Sequence, residues 1–214
     1  MSAAPADPFR VLVVCTGNIC RSAFAERLGR AWIGEALGDD ASELVVESAG
    51  TRAVVGSAMH PDSALVLRGY GVEADGFRAR QLAEEHPAQA DLVLTMTRAH
   101  RNQVLGLAPR ALARTFTLRE AAALLSALDD LEPEGDDFVA RARALVRAMA
   151  DARPGRSATR TDDDVWDPIN QPIEAHEEAG ELIVETFLPL LRRLADLRSA
   201  EACGTAAAEE PAAR

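Results

Sequence analysis

The run Phe9-Arg-Val-Leu-Val-Val14 constrains this chain more than any other segment, because it leads without a break into a loop that carries two cysteines and an arginine. It is short, apolar and rich in β-branched residues, the pattern of a strand buried on both faces of a parallel sheet. The loop is Cys15-Thr-Gly-Asn-Ile-Cys-Arg-Ser22. Beyond this octet Phe24, Leu28, Ala31, Trp32 and Ala36 recur near helical spacing, and Gly38 supplies the stop. Strand, loop and helix in that order put the loop at the carboxyl end of a strand, where open α/β sheets bind their ligands.

The alternation continues along the chain. Leu44–Ser48 reads as a second strand ending in Ser48-Ala-Gly-Thr51, and Asp62–Tyr70 as a helix stopped by Gly71. Asp91–Met96 is a third buried strand, Arg98–Leu107 a short helix, and Arg114–Leu118 a short fourth strand. Such alternation predicts an α/β fold of three αβα layers, with a parallel sheet, right-handed crossovers and helices on both faces. Helical periodicity returns at Phe138–Met149, and Arg153–Arg160 has loop composition, as does Asp162–Pro168. Glu177–Leu197 is a long amphipathic helix, with Pro189 as a place for a kink. The 214 residues, set against about 150 per domain, predict one domain over 9–198. A flexible N-terminus over 1–8, an expanded helical and Arg-rich segment near 120–160 and a disordered tail over 199–214 complete the expected organisation.

Charge and composition narrow the function. The net charge is −11, and all basic residues are arginine, so bulk attraction to nucleic acid is disfavoured and a bound anion must be met by a local site. No apolar run approaches the roughly 20 residues that span a bilayer, and the N-terminus has no signal-peptide pattern, which predicts a cytoplasmic protein without a membrane partner. Cys15, Cys20 and Cys203 suit neither a disulfide scaffold nor a four-ligand zinc site and read as reduced thiols. His60, His86, His100 and His176 show no metal-ligand spacing and are assigned to the surface, with His60-Pro61 near the rim of the pocket. No metal is expected. Neither Gly-x-x-x-x-Gly-Lys-[Ser/Thr] nor Gly-x-Gly-x-x-Gly stands after the first strand, which disfavours ATP and NAD.

The octet itself implies phosphate chemistry. A loop wrapping into a helix N-terminus turns backbone N–H groups inward and adds the positive end of the helix dipole, an oxyanion cradle into which Thr16, Gly17, Asn18, Ile19 and Cys20 all enter. The same field favours Cys15 as a thiolate nucleophile, with Ser22 donating a hydrogen bond to the sulfur. Arg21 offers a planar fork to two phosphate oxygens. Gly17 is expected to take backbone angles closed to other residues, and the Asn18 amide to brace the loop. Cys20 is near enough to capture an oxidised Cys15 as a disulfide. A thiolate phosphatase also needs a group that protonates the leaving oxygen and then activates water. Asp167 fits: Pro168 stiffens its backbone, and the preceding Trp166 is expected to shield it from water. Asp162, Asp163 and Asp164 compete for the role.

Cys15–Ser22 at the end of the first strand resembles the signature of the low-molecular-weight protein tyrosine phosphatases. Ser48–Thr51, Ala79-Arg-Gln-Leu82, Asp91–Met96 and Asp167-Pro168 match that family in the same order. The resemblance implies a four-stranded parallel sheet in the order 2-1-3-4, no cofactor, and hydrolysis of phosphotyrosine in proteins through a phosphocysteine. It makes Cys15 the nucleophile, Arg21 the phosphate ligand, Asn18 and Ser22 loop supports, and Asp167 the general acid and then base. Departures stand beside it. Ala23 replaces a usual Pro, and Phe77 replaces a usual histidine, so one hydrogen bond to the loop Asn is expected to be missing. Aromatic walls usual in the family give way to Ile169, Asn170, Val54 and Val55. Protein-arginine phosphatases resemble the same fold with Thr where Ile19 stands, and an apolar Ile suits an aryl ring better. Thioredoxin-coupled arsenate reductases need two further cysteines near residues 80–90, where Glu84, Glu85 and His86 stand. An inactive phosphate-binding relative is the alternative outside enzymes.

Overall fold

The structure, a computed structural model, describes residues 7–155 and 163–204. Strands β1 (Phe9–Cys15), β2 (Leu44–Gly50), β3 (Leu92–Thr95) and β4 (Thr115–Thr117) form one parallel sheet in the order β2-β1-β3-β4, the topology expected. Around it pack α1 (Arg21–Leu37), α2 (Pro61–Gly69), α3 (Glu85–Gln89), α4 (Arg98–Leu107), α5 (Leu118–Ser126), α6 (Phe138–Ala152) and α7 (Ile173–Gly204).

Period-two alternation in β1 divides the apolar core in two. Phe9, Val11, Val13 and Cys15 join the large cluster that includes Phe24 of α1, Leu124 of α5, Leu145 of α6 and Phe187 of α7. Leu12 and Val14 face the other way, into a small cluster with Leu82, Ala90, Val93 and Val104. Close helix packing on the thick side depends on Gly29, where a Cβ would stand 2.9 Å from the Phe187 ring. That contact seats α7 behind α1, and so behind the loop that precedes α1.

The expanded segment is more ordered than its composition suggests. Thr117 and Glu120 form a reciprocal capping box that starts α5, a helix that the apolar pattern did not reveal. Arg153, expected to open a loop, is held by Glu120 at 2.9 Å and lies 4.3 Å over the Phe116 ring, so it is part of the scaffold. Helix α7 runs through Pro189 and past its expected end near Leu197 to Gly204. Residues 1–6, 156–162 and 205–214, which hold most of the expected termini and the Arg-rich loop, lie outside the described residues. Among the described residues no helix is long and apolar enough to cross a membrane.

Candidate active site

The loop between β1 and α1 is shaped by the partners of its carbonyl groups. Those of Cys15, Thr16, Gly17 and Ile19 accept from the backbone N–H groups of Thr51, Arg52, Val54 and His60, at 2.8–3.0 Å. Each peptide plane is thereby turned carbonyl-outward, and the N–H of the same plane faces the interior of the loop. Helix α1 begins with no side-chain cap and no acidic residue in its first turn, so its N-terminal donors also remain for a ligand. The residue in left-handed backbone geometry is Asn18, at φ 55°, and not Gly17 as expected. The glycine that the loop requires is Gly50: a Cβ there would stand 2.5 Å from the Thr16 carbonyl oxygen.

Cys15 ends a chain of buried hydrogen bonds whose direction can be traced. Ser48 Oγ donates to Glu26 Oε2 at 2.6 Å, and Asn18 Nδ2 donates to Ser48 Oγ at 2.7 Å and to Ser22 Oγ at 2.9 Å. The Ser22 hydroxyl, having accepted, donates its own proton to Cys15 Sγ, 2.9 Å away. That bond fixes the position of the sulfur at the mouth of the loop. Arg30 closes the far end with a 3.1 Å ion pair to Glu26. Asn18 Oδ1 accepts from Arg80 N at 2.8 Å, so both amide protons and the amide oxygen are used. Phe77 makes no bond to the loop Asn, as expected, and the amide is held by other partners. Ser48, Ser22 and Arg80 satisfy the amide, and Phe77 is buried in the core.

Arg21 is buried and anchored by one nitrogen, Nη1, to the Val165 carbonyl at 2.7 Å. Its Nη2 pairs with Asp167 Oδ2 at 2.5 Å, and its Nε is buried with no hydrogen-bond partner. The Nε/Nη2 edge is the one that fits a tetrahedral oxyanion. Asp167, far from the octet in sequence, lines the same cleft as Cys15 and Arg21. Trp166 does not shield Asp167: it is 44% exposed and absent from the cleft lining. Of the competing acids, Asp164 accepts from Arg98 N at the start of α4, and Asp162 lies outside the described residues. Ile19, Val54 and Ile169 give the cleft aliphatic walls, and Arg52 adds a charge at the rim.

Two histidines expected at the surface are buried. His100 Nε2 lies 2.8 Å from Thr16 Oγ1, and its Nδ1 lies 2.9 Å from Thr97 Oγ1. Burial, and after it the nearby Arg21 charge, pushes its pKa down to about 4, so the ring is neutral near pH 7. If Thr97 donates to Nδ1, His100 donates through Nε2 to Thr16, whose hydroxyl proton is left for the cleft that Thr16 lines. A single histidine beyond β3 carried no sequence signal for this role. His176 is the second, and it packs near Cys20 behind the loop. Cys15 and Cys20 are free thiols, and burial pushes the Cys20 thiol up to about 11.

The profile of the low molecular weight phosphotyrosine protein phosphatases matches residues 10–139. The chain belongs to this family. The protein-arginine-phosphatase of Geobacillus stearothermophilus is 37% identical over 113 residues, which are 53% of this chain and 71% of that protein. The low molecular weight protein-tyrosine-phosphatase Wzb of Escherichia coli K12 is 38% identical over 99 residues, 46% of this chain and 62% of Wzb. Among solved structures, the low molecular weight protein tyrosine phosphatase of T. tengcongensis superposes with a TM-score of 0.60 at 28% identity, covering 88% of this chain and 98% of that one. Cysteine-dependent phosphatase chemistry, expected from the octet, agrees with membership of this family.

Proposed function

We propose that this protein is a cytoplasmic phosphatase that hydrolyses phosphotyrosine in proteins within a single domain over about residues 9–198. The observation that carries the reading is the buried Arg21 edge beside a Cys15 sulfur that accepts a hydrogen bond from Ser22. Cys15 Sγ attacks phosphorus as the bond to the tyrosine oxygen breaks, and Asp167 protonates the departing oxygen. Arg21 Nε and Nη2, with the inward N–H groups of the loop, hold the phosphoryl oxygens as their charge rearranges. To do this the phosphoryl group takes Nη2 from Asp167, which frees the carboxyl for its proton transfer. Asp167 then accepts a proton from water as the water oxygen displaces Cys15, releasing phosphate and restoring the thiolate. No cofactor enters this scheme. A reducing compartment preserves the nucleophile.

Ile19, Val54 and Ile169 support an aryl ring, since apolar walls desolvate a ring at little cost and offer a guanidinium no acceptor of their own. The 37% identity to an arginine phosphatase favours phosphoarginine as the second reading. Hydrolysis of p-nitrophenyl phosphate, with EDTA present and across pH 5–8, tests the chemistry by comparing wild type with Cys15→Ser. Turnover should vanish in the variant, and a folded wild type without turnover overturns the enzyme reading in favour of a phosphate-binding relative. Phosphotyrosine and phosphoarginine peptides then decide substrate, with at least tenfold higher kcat/KM expected for phosphotyrosine.

A further inference from the structure

Behind the phosphate loop the fold assembles three side chains that are far apart in sequence. Cys20 precedes α1, His60 caps α2, and His176 lies in the first turn of α7. One ligand atom from each lies within 4.8 Å of the other two. Cys20 and His176 are buried, while His60 is partly open to solvent and gives a way in.

Ser63 organises the group. Its Oγ is 2.8 Å from His176 Nδ1. With Nδ1–H donating to Ser63, the lone pair of His176 falls on Nε2. That atom is buried with no hydrogen bond of ordinary length, and the Pro168 carbonyl also faces the ring. The Asp62 carboxylate is 4.0 Å from His176 Nε2 and 3.8 Å from His60 Nδ1, a fourth donor on the open side. A hydroxyl that fixes the far nitrogen of a ligating imidazole is the outer support that metal sites use.

We propose that Cys20, His60 and His176, completed by Asp62, bind Zn²⁺ behind the phosphate loop. One thiolate, two imidazoles and a carboxylate match the ligand preferences of that ion. Binding replaces the Cys20 S–H bond with a sulfur–zinc bond and releases the proton to solvent. Tetrahedral donors at zinc stand about 3.5 Å apart, so the widest pair closes by about 1 Å. The two imidazoles, stacked at 4.8 Å with 15° between their planes, tilt so that their lone pairs converge, and His60 Nδ1 gives up the 3.3 Å bond that it accepts from Asp62 N. The site stands whether or not the phosphatase reading does, because none of its donors performs a step in that scheme.

Co²⁺, which reports its ligands by absorption, is titrated into the reduced full-length protein and then displaced by Zn²⁺. One equivalent should bind with a thiolate-to-cobalt charge-transfer band. Cys15→Ser and Cys203→Ser should keep the band, and Cys20→Ser should abolish it. His60→Gln and His176→Gln should each weaken binding at least tenfold, and Ser63→Ala by about 10–100-fold. His176 is buried and its variant can fail to fold, so the more exposed His60 and Asp62→Asn serve as second variants, the latter expected to weaken binding less. Absence of the band in wild type overturns the proposal. So does a band that survives both Cys20→Ser and His60→Gln, or one that disappears with Cys15→Ser.

Discussion

Cys15 and Cys20 stand in one loop, and the fold gives them opposite surroundings. Cys15 faces a cleft at the end of a buried relay in which Glu26, Ser48, Asn18 and Ser22 each use their hydrogen-bonding capacity in a defined direction. Cys20 meets burial that holds it as a thiol, and its neighbour His176 keeps one ring nitrogen without a hydrogen bond of ordinary length. A fully connected network fixes one geometry, which suits a nucleophile that must meet phosphorus at a set angle. An incompletely satisfied cluster leaves a ligand something to complete.

The sharpest break in this comparison is chemical. Cys15→Ser should lower turnover of p-nitrophenyl phosphate by about 10⁴-fold or more while phosphate still binds. Cys20→Ser should cost no more than about tenfold, and a comparable loss in both variants would refute the division of roles. Next, Asp167→Asn should slow phenyl phosphate hydrolysis by about 10²–10³-fold and p-nitrophenyl phosphate much less, because a good leaving group needs little proton assistance. Equal losses on the two esters would remove Asp167 from the acid role.

Cutting the relay away from the sulfur tests whether it acts as a unit. Ser48→Ala leaves an Asn18 amide proton and a buried Glu26 oxygen unpartnered, for a stability loss of about 1–3 kcal/mol in urea unfolding. Its kcat should fall more than its KM rises. The smallest effect concerns acid. Below pH 6.5 the unfolded chain binds a proton at His100 that the folded protein refuses until about pH 4. Stability from this position is therefore full above pH 6.5, declines as pH falls through that interval and is lost below it. The His176 pKa is also lowered by burial and contributes in the same direction. Urea midpoints at pH 7, 5 and 4 should converge between wild type and His100→Gln as pH falls, and parallel curves would mean that His100 does not titrate there.

Much of the site could be read from the chain because its reacting parts are local. The octet places nucleophile, anion cradle and arginine within eight consecutive residues, and β1 before it and α1 after it were legible from apolar periodicity. Asp167 lies most of the chain away from that octet, and only the Asp-Pro pair marked it. Support from a distance could not be read. Nothing in the spacing of His60, His100 and His176 indicates that two are buried, because burial of a lone histidine depends on which helices close over it. Helix α5 was missed for a different reason: Leu118-Arg-Glu-Ala continues a strand without a break, and only the Thr117-x-x-Glu120 capping box marked the start.

The sequence by itself determined the α/β architecture and the phosphate loop. Covalent connectivity fixes the separations within eight residues, and a buried strand running into an uncapped helix leaves donors that favour an oxyanion wherever the rest of the chain goes. Tertiary structure decided how that loop is held. The parallel register of β1 and β2 sets Val13 beside Ser48 and Cys15 beside Gly50, bringing Ser48 under Asn18 and the loop against a residue without a side chain. Packing of α2 and α7 likewise decided that Cys20, His60 and His176 meet. Such contacts join residues separated by tens of positions, and their distances come from strand register and helix packing, which no local pattern specifies.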